Sequence, residues 1–345
     1  MAWTINNGKL YFNSVLYTGN GGTQSITSLD FAPNWVWIKS RSTVRNNVLN
    51  DTVRGATKNL FSNTTGAEAT DTETLTSFNS DGFTLGDSAK VNENGTTFAS
   101  WNWKAGTSFT NDASATGIGS IDSSGSVSTD AGFSIITYTG TGSAATVAHG
   151  LGVAPKMIIN RTISAAKDWI TYHASLGATK FVELNTTDAA ATSSDKFNNT
   201  DPTSTVFSIE SSSQNNTSGG TCLAYCFAEK KGYSKFGSYT GNGNADGTFI
   251  YTGFKPAFVM TKRTDTTSDW YLSDNKRNGF NDDNHVFYAN ESDAEKTVNR
   301  IDILSNNFKL RSTGSGVNAS GGSYIYMAFA ENPFTSSAGT PVMAR

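Results

Sequence analysis

Side chains suited to acid–base or nucleophilic chemistry are few in this sequence. The three histidines are His149, His173 and His285, and none lies in HExxH or in another spacing that puts two imidazoles on one helix face. No GxSxG turn for a nucleophilic serine occurs, although a Ser-His-Asp arrangement assembled from distant residues stays open. The sequence therefore predicts surface or hydrogen-bonding roles for the histidines and no catalytic site.

Carboxylates do not form a recognisable pair either. Glycoside hydrolysis needs two acidic side chains facing each other across a groove, and Asp168, Glu183, Asp269 and Glu331 each fit equally well as a turn cap or a solvated rim residue. The acidic loop FNDDNH (280–285) offers oxygen ligands for Ca²⁺ without the residue order of a specific calcium loop. We predict no metal site and no cofactor.

Two tryptophans give the strongest hint of ligand binding. The pairs Asp168-Trp169 and Asp269-Trp270 occupy matching places after the loops TISAAK and TDTTS. Because sugar rings stack on exposed aromatic faces, these four residues are candidate ligand-binding residues. However, the runs WITYH and WYLSD also alternate like strands, so each indole fits a buried position, and we prefer this core interpretation.

The two cysteines predict free thiols. Cys222 and Cys226 are four residues apart in the alternating run TCLAYCFAE, which is typical of a strand. Four strand residues span about 13 Å, beyond the Cα separation of about 4.4–6.8 Å that a disulfide allows. Both side chains are expected on one face of the strand, with no redox or metal role.

Composition excludes several classes of protein. Only 16% of the 345 residues are charged, 12% are aromatic, and the net charge is −3, so no basic surplus exists to neutralise nucleic-acid phosphates. No segment approaches the roughly 18 consecutive apolar residues of a membrane helix. The start, MAWTINNGKLYF, lacks the regions of a signal peptide, so the mature chain is expected to begin at Met1 or Ala2.

One five-residue phrase occurs three times, as YTGNG at 17–21, YTGTG at 138–142 and YTGNG at 239–243. Each copy leads to an x-Pro step and an apolar run that ends in Lys or Arg, namely FAPNWVWIKSR, VAPKMIINRT and FKPAFVMTKR. The prolines Pro33, Pro155 and Pro256 keep register with the phrase, which indicates a true repeat. No helical pattern follows the glycines, so the phrase predicts a strand end with a positive-φ turn rather than a phosphate loop.

The repeats also close alike. The segments NENGTTFASWNWKAG (92–106), NTSGGTCLAYCFAEK (216–230) and NASGGSYIYMAFAEN (318–332) align without a gap and place Trp103, Phe227 and Phe329 at one position. A tight turn followed by alternating apolar residues is typical of a half-buried strand.

Repeats of about 100 residues, rich in short strands and Gly, Asn, Asp and Ser turns, predict an all-β protein of three tandem β-sandwich or jelly-roll domains. The connector between the first two is either a flexible linker or a small hairpin, whereas the second and third adjoin almost directly. The predicted parts are domain 1–106, connector 107–131, domain 132–237, domain 238–334 and C-terminal arm 335–345.

Taken together, YTGNG, the x-Pro-apolar-IKSR run, DGFTLG and NASGGSYIYMAFAENPF resemble the tandem repeats of virion surface proteins of marine tailed bacteriophages, described as tail-fibre-like or concanavalin/laminin-G-like. The resemblance covers residues 10–334 and brings no catalytic motif. It implies a structural or adhesive protein on the virion surface, made in the host cytoplasm, with other capsid or tail proteins as partners and a homotrimer as the oligomer. No heptad run or shaft repeat precedes the first domain, so capsid decoration, a short appendage or a receptor-binding tip fits better than a long fibre.

The sequence leaves three functions open. The leading hypothesis is a non-enzymatic virion protein that decorates the capsid or belongs to the tail apparatus. The alternative is an adhesin that binds host surface glycans through the loops at 41–48, 162–168 and 263–269, where several weak sites would add up. A glycan depolymerase is the third hypothesis.

Overall fold

The computed structural model describes residues 7–277 and 285–330, and most of these residues form strands and turns. The prediction of an all-β protein is confirmed. The described helices are single turns: a 3-10 turn at Gly8–Leu10, α1 (Ala89–Asn92), α2 (Ala113–Thr116), α3 (Ser194–Phe197) and α4 (Ser315–Asn318).

The strands divide into three units, which we number by position along the chain. Unit 1 contains β1 (Phe12–Thr18), β2 (Gln24–Ile26), β3 (Trp35–Ser40), β4 (Val48–Asp51), β5 (Lys58–Phe61), β6 (Ala69–Thr70), β7 (Leu75–Asn79), β8 (Gly82–Leu85) and β9 (Thr97–Trp103). Unit 2 contains β10 (Thr107–Asn111), β11 (Ser123–Ser128), β12 (Phe133–Thr139), β13 (Ala145–Ala148), β14 (Met157–Thr162), β15 (Ile170–His173), β16 (Lys180–Glu183), β17 (Ala191–Thr192), β18 (Val206–Ile209) and β19 (Thr221–Phe227). Unit 3 contains β20 (Ser234–Thr240), β21 (Phe249–Tyr251), β22 (Pro256–Arg263), β23 (Trp270–Asp274), β24 (His285–Tyr288), β25 (Lys296–Thr297), β26 (Ile301–Leu304), β27 (Asn307–Leu310) and β28 (Ser323–Ala330).

Each unit has one large and one small sheet, and the strand order repeats. The large sheets run β1-β9-β3-β4-β5-β6, then β12-β19-β14-β15-β16-β17, then β20-β28-β22-β23-β24-β25. The small sheets are β2-β8-β7, β13-β18 and β21-β27-β26. In unit 2 the hairpin β10–β11 extends the large sheet beyond β12, so the connector is a hairpin rather than a flexible linker.

The closing strand of every unit lies inside its large sheet, between the first strand and the strand that follows the repeat proline. Trp103 in β9 pairs with Phe12 in the first strand of unit 1 and with Trp35 in the strand after the repeat proline. In the same way, Phe227 in β19 and Phe329 in β28 each pair with one residue of the strand equivalent to β1, which is β12 or β20, and one residue of the strand after the repeat proline. The predicted equivalence of Trp103, Phe227 and Phe329 is therefore confirmed by register.

The YTGNG phrases form equivalent turns. The last glycine of each phrase has a positive φ: +67° at Gly21, +71° at Gly142 and +69° at Gly243. The first glycine has no room for a side chain, since a Cβ on Gly19 would lie 2.3 Å from the Glu93 carbonyl oxygen. Both glycines are thus required by geometry, which confirms the turn interpretation.

The prediction that the closing strand of each repeat is half-buried is wrong, because all but the first residue of β9, β19 and β28 are buried. All six residues of β3 and the last six of β9 are buried, so both faces of the large sheet are covered. Val36 and Ile38 face the small sheet of unit 1, whereas Trp35 and Trp37 join a cluster with residues of the other two units. Alternation identifies the two faces of a strand but does not show that a second layer covers the other face.

The largest apolar cluster lies where the three units meet. Trp103 contacts Phe329 with ring centroids 5.7 Å apart, Phe227 contacts Phe329 at 6.0 Å, and Trp35 contacts Phe227 at 5.9 Å. Edge-on and tilted contacts of this kind are favourable between aromatic rings. The units therefore share a core in addition to the contacts between their own sheets.

Candidate functional site

The two predicted tryptophan sites lie between units. Trp169 and Trp270 are 0% and 1% exposed, which confirms the core interpretation. The Trp169 Nε1–H donates to the Phe61 carbonyl oxygen in unit 1 at 2.8 Å, and the Trp270 Nε1–H donates to the Glu183 carbonyl oxygen in unit 2 at 2.9 Å. A sugar ring cannot stack on either indole while these units are in contact.

The neighbouring aspartates position the tryptophan backbones. Asp168 and Asp269 are partly buried, and each carboxylate accepts a hydrogen bond from an asparagine amide, from Asn185 at 2.8 Å and from Asn290 at 2.9 Å. The same two asparagines accept the backbone N–H of the following tryptophan at 2.8 Å. These contacts explain why the Asp-Trp pair recurs; ligand binding by the two carboxylates stays a prediction.

Unit 1 has Asn47 where the other units have the tryptophan. Its side-chain amide donates to the Tyr288 carbonyl oxygen in unit 3 at 3.1 Å, the position equivalent to Phe61 and Glu183. The contacts therefore run from unit 2 to unit 1, from unit 3 to unit 2, and from unit 1 to unit 3. The three units form a closed ring, which tandem order alone does not predict.

Main-chain hydrogen bonds repeat around the same ring. We call residues 61–68, 183–190 and 288–295 the acceptor loops, because their carbonyl oxygens accept the side-chain hydrogen bonds described above from the neighbouring unit. Each loop also donates one backbone N–H in return: Glu68 to the Ile163 carbonyl, Ala190 to the Thr264 carbonyl and Glu295 to the Arg41 carbonyl, each bond 2.9 Å long. The glycan-binding loops predicted from sequence lie at these junctions.

A buried cation reinforces each junction. It is the residue at the end of the apolar run after the repeat proline, and Lys39, Arg161 and Lys262 are each 0% exposed. Each donates to a carbonyl oxygen of an acceptor loop: Lys39 to Ser292 at 2.8 Å, Arg161 to Thr65 at 2.7 Å and Lys262 to Thr187 at 3.1 Å. Burial lowers the pKa of Lys39 and of Lys262 to about 8, with partial compensation from nearby aspartates.

Units 1 and 3 each bury an ion cluster beside the junction. In unit 3, Arg277 Nε lies 2.7 Å from Asp274 Oδ2 and Arg277 Nη1 lies 3.3 Å from Glu295 Oε2. In unit 1, Arg54 makes the equivalent contacts with Asp51 at 2.6 Å and with Glu68 at 3.3 Å. The neighbouring unit adds a donor to each cluster: Trp101 Nε1–H to Asp274 at 2.9 Å and the Tyr225 hydroxyl to Asp51 at 2.8 Å.

Unit 2 replaces this ion cluster with less polar residues. His173, Leu176 and Ala190 occupy the equivalent positions, and Leu176 and Ala190 pack against the shared core. His173 Nε2 lies 3.1 Å from the Tyr326 carbonyl oxygen of unit 3, so this junction also has a cross-unit hydrogen bond. The backbone arrangement is thus kept with a different set of side chains.

Two of the three histidines and both cysteines have structural roles. His149 and His173 are buried, each contacts a backbone carbonyl, and burial lowers the pKa of both imidazoles to about 4. Cys222 and Cys226 are free and buried on one face of β19, as predicted. Over residues 7–277 and 285–330, no cluster of three metal-ligating side chains exists, and most of the FNDDNH loop lies outside this range.

Three surface depressions adjoin the hairpin β10–β11. The first, of about 300 Å³, is lined by polar residues that include Asp112 and Asp122; the second, of about 430 Å³, lies between the hairpin and Val53 of unit 1. The third, of about 210 Å³, lies beside Phe109 and Ile118. All three are open and contain no converging catalytic groups. Among residues 7–277 and 285–330, we therefore take the unit junctions as the candidate functional site.

Sequence reasoning missed the ion clusters, although a signal for them exists. Asp51 and Arg54 in DTVR, and Asp274 and Arg277 in DNKR, have the same three-residue spacing at equivalent places in the repeat. Comparison of the repeats at these positions identifies a paired acid and base in two units and its loss in the third.

Comparisons with known proteins identify a family but no function. Within the described part of the chain, the helices are too short to cross a membrane. No curated protein matches the sequence. A family model, described as a domain of unknown function (DUF7483), matches residues 7–333, and the chain belongs to that family.

Proposed function

We propose that this chain is a non-enzymatic structural protein of a bacteriophage virion surface, which decorates the capsid or forms part of the tail apparatus. In this proposal the three units are tandem β-sandwich domains of jelly-roll or concanavalin-like type. The observation that carries it is the closed ring, in which three equivalent junctions and one shared aromatic core join the units. The phage assignment itself comes from the resemblance of the repeat signatures.

The chemistry of the ring supports a structural role. Its buried cations, ion clusters and tryptophans face neighbouring units instead of an open cavity. Groups that could transfer protons, such as His149 and His173, are buried and bonded to the backbone. Residues used in this way stabilise a fixed shape, which suits an exposed particle component.

Partners follow from the same proposal. We expect contacts with other capsid or tail proteins, and the homotrimer implied by the resemblance stays a prediction that sedimentation of the purified chain can test. Glycan binding at Trp169 and Trp270 is disfavoured because both indoles are buried. The glycan-binding alternative therefore needs a different surface.

Immunogold electron microscopy of intact phage particles tests the proposal. An antibody raised against the purified chain should label the particle surface, and labelling should vanish when the antibody is first absorbed with that chain. Gold on the head assigns capsid decoration, and gold on the tail assigns a tail component. Particles that contain no label on either part, and no chain by mass spectrometry, would refute the virion assignment.

A further inference from the structure

Unit 3 carries an aromatic pair that the other units lack. Phe249 and Tyr251 are 53% and 58% exposed and lie on β21, the edge strand of the small sheet, with Ile250 buried between them. Alternation along a strand puts both aromatic side chains on the outer face, about 6.6 Å apart. They are more exposed than most large apolar side chains of the described chain, and exposure of this kind commonly marks a binding surface.

Register identifies the equivalent positions in units 1 and 2. Ile250 pairs with Phe308 as Ile26 pairs with Phe83 and as Val147 pairs with Phe207. The residues on either side of Ile26 are Ser25 and Thr27, and those on either side of Val147 are Thr146 and Ala148. Because units 1 and 2 both have small residues at these positions, folding of the repeat does not require the aromatic pair.

Charged side chains border the pair on the same face. Phe249 pairs across the sheet with Lys309, which pairs in turn with Asp302. Asp246 contacts Lys309 and lies 3.2 Å from Arg311, while Arg311 Nε lies 3.0 Å from Asp302. Two acidic and two basic residues thus neutralise each other, so the surface supplies hydrogen-bond donors and acceptors without a net charge to attract an ionic partner.

We propose that the outer face of β21 in unit 3 binds a neutral polysaccharide, with Phe249 and Tyr251 as the stacking surface and the Lys309–Asp246–Arg311 group as the hydrogen-bonding rim. An open, flat platform suits the face of a sugar ring in a chain better than a small molecule that needs enclosure. The partly positive C–H groups of a pyranose complement the negative face of an aromatic ring, and the sugar hydroxyls complement the rim. This site is independent of where the protein lies on a particle.

Native affinity electrophoresis of the whole chain tests the site. Gels contain dextran, laminarin or galactomannan, three soluble neutral polysaccharides, and a gel without polysaccharide gives the reference mobility. The wild-type chain should be retarded by at least one of them. The double variant Phe249→Ser, Tyr251→Thr should lose about tenfold in affinity, which is the effect of about 1.4 kcal/mol of lost aromatic contact.

The control variants use residues that the chain itself has at equivalent positions. The double substitution introduces the residues found at the equivalent positions of unit 1, so its thermal unfolding should be unchanged. Adding Ser25→Phe, Thr27→Tyr to the double variant moves the pair to unit 1 without its charged rim, and the rim's role predicts weaker retardation of this chain than of wild type. An Ile118→Ser variant, which removes a different exposed apolar side chain, should bind like wild type.

Three results would overturn the proposal. One is an absence of retardation by all three polysaccharides. Another is equal retardation of wild type and the double variant at equal stability. The last is concentration-dependent self-association in sedimentation that the double variant abolishes while no polysaccharide binds, since this would assign the face to a second copy of the chain.

Discussion

Units 1 and 3 bury an arginine between two carboxylates at the place where unit 2 has His173, Leu176 and Ala190. The flanking backbone contacts to the acceptor loops are the same in all three units. A buried ion cluster is therefore one of two ways to fill this position rather than a requirement of the fold. Because desolvation offsets much of the attraction in such clusters, a well-packed apolar replacement can be as stable.

The largest predicted effect comes from removing only the arginine of one ion cluster and leaving its carboxylates in place. Arg54→Leu leaves Asp51 buried without its cation and removes one of the two cations near Glu68, and should lower the free energy of unfolding by about 3–5 kcal/mol. Urea denaturation followed by tryptophan fluorescence measures the loss.

The matched control introduces the three unit 2 residues at the equivalent positions of unit 1. The triple variant Asp51→His, Arg54→Leu, Glu68→Ala removes the stranded charges as well, so it should recover much of the stability lost in Arg54→Leu. A triple variant less stable than the single one would mean that the clusters are not interchangeable with the unit 2 arrangement.

A second, smaller effect concerns the donor that a cluster receives from the next unit. Tyr225→Phe deletes the hydroxyl that donates to Asp51 across the unit 1–unit 2 junction, which should cost about 1–3 kcal/mol because a buried carboxylate loses one of its hydrogen-bond donors. Tyr172→Phe is the control, since its hydroxyl donates to Asp201 within unit 2. Equal losses in the two variants would argue against a special contribution from the cross-unit bond.

Acid should weaken unit 3 through Asp274. Burial raises the pKa of this carboxyl, but the Arg277 charge and the hydrogen bonds from Arg277 and Lys276 outweigh burial and leave the pKa below its ordinary value of 3.8. The stabilisation is therefore present above pH 3.8 and is lost as the pH falls through the lower folded-state pKa. Urea midpoints between about pH 5 and pH 2 should fall more steeply for wild type than for Asp274→Asn, and parallel curves would contradict this.

A pH-dependent effect distinguishes lysine from arginine at the junctions. The pKa of Lys39 and of Lys262 is lowered from 10.5 to about 8, so the folded state releases protons that the unfolded state keeps between these values. Stability should therefore rise with pH from about 8 to 10.5 relative to a Lys39→Arg, Lys262→Arg variant. The difference between their urea midpoints at several pH values measures it, and a pH-independent difference would show that these lysines titrate normally.

The repeat itself could be predicted from sequence, because turn glycines, prolines and alternating strands are local features. The equivalence of Trp103, Phe227 and Phe329 and the free thiols follow from such features. What covers the second face of each large sheet depends on contacts between distant residues, such as Trp270 with Glu183, and alternation contains no information about them. For the same reason the Asp-Trp pairs could be located by sequence but not assigned to a unit junction.

Differential scanning calorimetry of the whole chain tests the closed ring most directly. Units joined by equivalent buried junctions and a common core should unfold together, giving one transition whose calorimetric enthalpy equals its van 't Hoff enthalpy. Two or three separable transitions, or a calorimetric enthalpy well above the van 't Hoff value, would mean that the units unfold independently and that the ring does not act as one body.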